Sequence, residues 1–203
     1  MPKGPSPKDV SLWTKLHENM DLALHAAFYT WPAGQIQRGW VLDLGSEFGF
    51  GSQLISLSNA ALQVIGMDLD LAGLRYSKSI SGNKKISHVH GNAHQLPIAS
   101  ESLDGIYLIH LLHLVDEPEF ILAEAWRALK QGGVGIVAMP HEQFVISCPN
   151  AARKIELVRN AVTRYFSDVH YPDEIFGQLP TFPPQAFRVN RQASNWLTIC
   201  RKG

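Results

Sequence analysis

Val41-Leu42-Asp43-Leu44-Gly45-Ser46-Glu47-Phe48-Gly49-Phe50-Gly51 joins two different hydrophobic patterns. Before the glycines, Trp40 to Leu44 is an apolar run broken only by Asp43, as in a strand buried on both faces. After them, Ser52-Gln53-Leu54-Ile55-Ser56-Leu57 resumes with helical spacing. Glycine permits a left-handed backbone and lets the main chain approach a ligand closely. A strand, a tight turn and a helix start place unpaired N–H groups and the positive end of a helix dipole together. In open α/β sheets such a turn lies at the carboxyl edge, where nucleotide-like ligands bind.

Working outward, Gln63-Val64-Ile65-Gly66-Met67-Asp68 reads as a second buried strand ending in an acid. That acid follows the glycines by about 20 residues, the spacing at which a carboxylate accepts hydrogen bonds from two ribose hydroxyls. Asp70 is placed as the N-cap of a helix from Leu71 to Ile80, which leaves Asp68 for the ribose. Ile86 to His90 is a third strand, running into Gly91-Asn92-Ala93-His94-Gln95-Leu96-Pro97-Ile98. Ser102-Leu103-Asp104-Gly105-Ile106-Tyr107 opens a fourth. Glu117-Pro118 starts a helix with the apolar face Ile121, Leu122, Ala125, Ala128 and Leu129. Gln131-Gly132-Gly133 is expected to end it with a left-handed cap, before a fifth strand from Val134 to Pro140. Alternating strands and helices predict a doubly wound, Rossmann-like α/β sheet of about seven mostly parallel strands.

Several strings together resemble class I S-adenosylmethionine-dependent methyltransferases. V-L-D-L-G-x-x-x-G, from Val41 to Gly49, resembles the first motif of that family. Gly91-Asn92-Ala93 with Leu96-Pro97, Ser102-Leu103-Asp104, and Leu111 to Asp116 are similar to G-D-A-x-x-L-P-F, S-F-D-x-V and L-x-H-x-x-D. These belong to the branch containing the ubiquinone and menaquinone biosynthesis enzymes. Leu122, Glu124, Arg127, Leu129, Lys130, Gly132 and Gly133 match a further string, L-x-E-x-x-R-x-L-K-x-G-G, whose residues are structural in relatives. The resemblance covers roughly residues 40 to 139. It implies S-adenosylmethionine as cofactor, held by Asp43, Gly45, Ser46, Glu47, Gly49, Asp68, Leu69, Asn92, Ala93 and Ile109. Asp43 would organise the turn and the cofactor's amino-acid end, Gly45 and Gly49 would admit the methionine moiety, and Asn92 with Ala93 would meet the adenine. The chain departs from the family at Glu47, where a glycine is usual, and at Asn92, which replaces an acid. An amide carbonyl can still accept the adenine amino group's hydrogen bond.

The flanking segments are expected as follows. Residues 1 to 10 form a flexible leader, and 11 to 203 one domain. An amphipathic helix over residues 11–30 carries Trp13, Leu16, Met20, Ala23, Leu24 and Ala27, and Trp31-Pro32 ends it. Residues 140 to 203 supply the substrate side. Asn150 caps a helix with the face Ile155, Val158, Val162 and Tyr165, and residues 171 to 186 form a loop or short cover. Phe187 to Arg191 and Trp196 to Cys200 form an antiparallel hairpin closing the sheet.

Composition narrows the partners. The chain has 203 residues, 45% of them apolar and 18% charged, with Lys+Arg and Asp+Glu equal at 18 each. A neutral balance supplies no field toward nucleic acid, and the basic residues of the late helix and C-terminus read as solvated faces. No run approaches the ~18 apolar residues of a membrane span, and no signal core opens the chain, so the expected location is cytoplasmic. Cys148 and Cys200 are expected to be free thiols.

Methyl transfer to a small-molecule acceptor requires alignment above all, with a general base only for a protonated acceptor. His110, after the fourth strand, is the candidate catalytic base, His141 a second candidate, and His113 a residue bonded within the protein. His88 with His90, and His110 with His113, lack a third ligand at zinc-like spacing, so no metal is expected. Gly45, Gly49 and Gly51 also fit the G-x-x-x-G-x-G of NAD(P)-dependent short-chain dehydrogenases. Asp43 and the absence of a Tyr-x-x-x-Lys pair argue against them. A non-catalytic binding or scaffold protein of the same fold is the stronger rival, motivated by Glu47.

Overall fold

The computed structural model describes residues 22–139, 151–170 and 196–203. Its contacts divide the chain after Ala93 into two compact units.

The first unit contains α1 (Leu22–Ala33), β1 (Gly39–Leu44), α2 (Phe50–Ser58), β2 (Leu62–Asp68), α3 (Leu71–Ile80) and β3 (Ile86–His90). β2 lies between β1 and β3, parallel to both, with Leu44 beside Met67 and Asp68 beside His90. Val41, Leu42, Leu44, Val64 and Met67 are fully or almost fully buried, as the continuous apolar runs require of central strands. Ile55, Leu74 and Phe28 are buried with them. Gly51 allows α1 close to α2: a Cβ there would lie 2.3 Å from the Tyr29 ring.

Trp31-Pro32 does not end α1, contrary to expectation. Proline fixes a helical φ but cannot donate to the carbonyl four residues back, yet the helix runs on past it to Ala33. The chain leaves the helix instead at Gly34 and Gln35, whose N–H groups donate to the Trp31 and Pro32 carbonyls at 3.1 and 2.9 Å. The Asn59 amide then caps Ala33 O at 3.1 Å and Ile36 O at 2.7 Å. The earlier part of the expected helix, before Leu22, lies outside the described residues.

The second unit contains β4 (Leu103–Ile109), α4 (Pro118–Ala128), β5 (Leu129–Met139), α5 (Ala151–Tyr165), β6 (Ser167–His170) and β7 (Trp196–Arg201). β4 and β5 are parallel, whereas β7 is antiparallel to β5 and to β6. The C-terminal strand thus has the expected direction. Its described neighbours are β5 and the short polar β6, which the sequence pattern did not reveal. Phe187 to Arg191, the other arm of the expected hairpin, lies outside the described residues, as do Cys148, Asn150 and residues 171 to 186.

α4 also ends earlier than expected, at Ala128, with Leu129 already extended. Gly132 is left-handed, with φ 72°, but it lies within β5 rather than capping the helix. The Arg127 and Ala128 carbonyls are taken by the N–H groups of Glu101 and Ser102 at 3.0 and 2.9 Å. A distant segment therefore caps the helix. The Lys202 ammonium is buried nearby, donating to Leu129 O at 2.9 Å and lying 4.2 Å from the Trp126 ring centre. Cys200 is a free, buried thiol donating to Gly135 O at 3.4 Å, and burial holds its pKa far above that of a reactive thiol. Among the described residues, no helix is long and apolar enough to cross a membrane.

Candidate functional site

The carboxyl ends of β1, β2 and β3 lie side by side in the first unit, and most of the residues singled out in the sequence meet there. The glycine turn is closed by backbone bonds. Gly45 and Ser46 N–H donate to Met67 O at 2.8 and 3.1 Å, and Gly49 N–H donates to Ser46 O at 2.7 Å. Three turn residues are left-handed: Gly45 at φ 80°, Glu47 at 44° and Gly49 at 81°. Gly49 has a second constraint, since a Cβ on it would sit 1.9 Å from Ser77 Oγ and 2.9 Å from Ser77 Cβ on α3. Its missing side chain is the seat of α3, a packing role that spacing alone did not distinguish from ligand approach. Glu47 shows why glycine suits its position, because the backbone there is left-handed.

Beneath the turn, Asp43 is 1% exposed and accepts a 2.7 Å hydrogen bond from Ser52 Oγ. Burial pushes its pKa up to about 7; the Ser52 bond works against this, and the negative charges of Asp68 and Glu47 add to it. The Ser46 hydroxyl is buried nearby without a hydrogen-bond partner among the described residues. Gly66 makes room for both serines, since a Cβ there would come within 2.8 Å of Ser52 Oγ and 3.2 Å of Ser46 Oγ. Sequence reading did not pick out Ser52. Its signal was a hydroxyl in a helix's first turn, on the face shared by Ile55 and Ser56, all three buried.

Asp68 ties the turns together. Its Oδ2 accepts Glu47 N–H and its Oδ1 accepts Asp70 N–H, each at 2.8 Å. Asp70 caps α3 as expected, accepting from Ala72 N at 2.9 Å and Gly73 N at 3.2 Å. Next to Asp68, Leu69 is 69% exposed, although it is a large apolar residue at a strand end. Its carbonyl contacts His90 Nε2 at 3.0 Å, and Gly91 N–H donates to Asp68 O at 3.1 Å. The β3 exit, with exposed Asn92 and half-buried Ala93, is thereby fixed to the β2 exit. His88 bonds Ser77 Oγ at 2.8 Å, and burial holds its pKa below the usual histidine value.

In the second unit, Ile109 is buried at the end of β4. His110 follows it in a left-handed conformation, φ 55°, with its N–H on Ala138 O at 2.9 Å. Its ring stands edge-on to His113 at 6.2 Å between centres. His113 is buried and its pKa is pushed down to about 4, first by burial and then by the Lys154 charge. Its Nδ1 has no hydrogen-bond partner among the described residues. Glu124 and Arg127 form a paired fork: Nε reaches Oε1 at 2.8 Å and Nη2 reaches Oε2 at 2.9 Å. The same fork holds the loop before β4, with Leu96 N–H on Glu124 Oε2 and Arg127 Nη1 on Ile98 O, both at 2.9 Å. Among the described residues, no three His, Cys, Asp or Glu side chains are grouped as metal ligands. His141 lies outside the described residues.

Comparison with known proteins bears on the fold and the family. Residues 42–137 match a methyltransferase domain family. The ubiquinone/menaquinone biosynthesis C-methyltransferase of Desulfotalea psychrophila is 32% identical over 106 residues, which are 52% of this chain and 43% of the relative. The demethylmenaquinone methyltransferase of Renibacterium salmoninarum is 34% identical over 48% of this chain and 40% of its own. The chain therefore spans about two-fifths of the length of these two relatives. The solved structure of an S-adenosylmethionine-dependent methyltransferase from Mesorhizobium loti aligns over 87% of this chain and 98% of its own. It does so with a TM-score of 0.61 at 18% identity, a likeness of fold. The fold is thus the α/β Rossmann-like one of methyltransferases, with a mostly parallel sheet and antiparallel strands at the C-terminal end. Over residues 42–137 the chain is similar to the methyltransferase domain family, in a fold shared with an S-adenosylmethionine-dependent methyltransferase.

Proposed function

We propose that this chain transfers the methyl group of S-adenosylmethionine to a small-molecule acceptor, with the cofactor held at the carboxyl ends of β1, β2 and β3. The observation that carries the proposal is the fixed carboxylate of Asp68. Each of its oxygens already accepts one backbone N–H and retains a further lone pair, so a vicinal pair of hydroxyls can be bound without reorganising the turn. The other residues suit the same ligand. Leu69 offers an exposed apolar surface beside that carboxylate, and Asn92 an amide able to accept from an amino group. Gly45 and Gly49 keep side chains out of the turn, and Asp43 with Ser52 supports it from below. A seven-strand count for the doubly wound sheet belongs to the same proposal.

The cofactor supplies an electrophilic methyl group on a sulfonium, so the protein's share is to bind, align and exclude water. His110, just beyond β4, is the candidate base for an acceptor that must lose a proton. The relatives named for ubiquinone and menaquinone biosynthesis favour an acceptor that is a small, partly apolar molecule.

Calorimetric titration with S-adenosylmethionine, S-adenosylhomocysteine and NAD(P)H tests the proposal. Micromolar binding of the two adenosyl ligands and none of NAD(P)H is expected. Asp68→Ala should weaken adenosyl binding at least about tenfold while costing about 1–2 kcal/mol of stability, the worth of its two backbone bonds. Silence from the adenosyl ligands, or equal loss of binding and folding in the variant, would overturn it.

A further inference from the structure

We propose that the first turn of α5 receives an anionic group of the methyl acceptor, with the Lys154 ammonium as its principal contact. The inference rests on the methyltransferase reading above and names the acceptor class within it: a partly apolar molecule carrying a carboxylate or a phosphate.

A helix N-terminus favours acidic side chains, because its unpaired N–H groups carry partial positive charge. α5 has no acid in its first turn and carries Arg153 and Lys154 there instead. Two cations at that end oppose the helix dipole, and both they and the dipole suit an external anion. Arg153 is exposed, whereas the Lys154 side chain is 16% exposed and packs against the segment that follows β4. Among the described residues, the Lys154 ammonium meets His113 O at 3.5 Å and Asp116 Oδ1 at 3.7 Å. Both contacts are long, and the Asp116 side chain is fully exposed, so water screens that pair. Lys202, in the same unit, is met by Leu129 O at 2.9 Å, Glu101 Oε1 at 3.3 Å and the Trp126 ring. Lys154, with three donors and one weak carbonyl bond, keeps most of its capacity for a ligand.

His113 supplies an independent mark of the same site. It is 8% exposed, and its Nδ1 has no hydrogen-bond partner among the described residues. Its ring is near enough to the Lys154 ammonium for that charge to lower its pKa, so at neutral pH the imidazole is uncharged. In its Nδ1–H tautomer it adds a buried donor to the one cation beside it. The His110 ring, that of the candidate base, stands 6.2 Å from the His113 ring between centres. Leu114, 62% exposed in the same segment, offers apolar surface for the rest of the acceptor.

The experiment is calorimetric titration of the full chain with naphthoate, naphthyl phosphate and the neutral naphthamide, after saturation with S-adenosylhomocysteine. Expected is binding of at least one anion about tenfold tighter than the amide, and the stronger of the two identifies the anionic group. Lys154→Met should abolish that preference while leaving the amide and S-adenosylhomocysteine titrations unchanged, and Lys154→Arg should keep most of it. Asp116→Asn removes the competing carboxylate and should tighten the anion about twofold, whereas a merely structural ion pair would give no gain. Absence of a preference for either anion, or an equal loss in Arg153→Gln and Lys154→Met, would overturn the proposal. Failure of S-adenosylhomocysteine to bind, with the Lys154-dependent preference intact, would instead overturn the methyltransferase reading and with it the acceptor role, but not the anion site.

Discussion

A single methyl group would decide the fate of Gly49. Its φ of 81° is costly for any other residue, and the space its Cβ would occupy is already filled by Ser77. Gly49→Ala should therefore cost about 2–4 kcal/mol, combining backbone strain with overpacking. Adding Ser77→Gly removes the collision and leaves the strain, so the double variant should recover part of that loss in a denaturant titration. Full additivity of the two changes would show that Gly49 is not seated on Ser77. The same residue shows where a motif is legible. Spacing gave the turn and its left-handed glycines, but the collision partner lies 28 positions later (77 − 49) on a helix whose approach no local pattern encodes. Asp68 was readable as the acid at a strand's end. Its bonds to Glu47 and Asp70 were not, because backbone donors leave no compositional trace.

Helix α4 illustrates the same limit at the scale of an element. Its start was legible from Glu117-Pro118 and its face from Ile121, Leu122, Ala125 and Ala128, all buried. Its end was not, because the helix is capped by the N–H groups of Glu101 and Ser102 and not by its own glycines. The shared anchor is the Glu124–Arg127 fork, which also grips Leu96 and Ile98. It holds the Glu124 carboxyl below its ordinary pKa, chiefly through the Arg127 hydrogen bonds. Both side chains are partly exposed, so each single alanine substitution should cost only about 1–2 kcal/mol. The double variant should cost clearly less than their sum, because either change alone already opens the fork. Arg127→Lys should fail to restore stability, since an ammonium cannot bond both carboxylate oxygens and a carbonyl in the same plane. Strict additivity in a double-mutant cycle would show that helix and loop are held independently.

At the scale of the whole molecule, two buried groups give stability opposite dependences on pH. The Asp43 pKa rises from 3.8 unfolded to about 7 folded. Between those values the folded chain holds a proton that the unfolded chain has lost, so its contribution declines as pH rises from about 4 to about 7. The His113 pKa falls from 6.5 to about 4. There the unfolded chain holds the extra proton, and stability increases as pH rises through that window. The parent protein carries both slopes, and over pH 4 to 6.5 they oppose each other. Substituting one group at a time exposes the other. Asp43→Asn can still accept the Ser52 hydrogen bond but has no proton to lose. Relative to the parent, its stability should improve with rising pH across the acid range and level off above about 7. His113→Asn should show the reverse, with a relative stability that worsens from about pH 4 to 6.5 and is constant above it. The amplitude in each case is on the order of a few kcal/mol. Urea denaturation across that range measures both difference profiles. A flat profile for Asp43→Asn would mean that this carboxyl titrates in the folded protein as it does in the unfolded chain, and that its burial beneath the turn is not what raises its pKa.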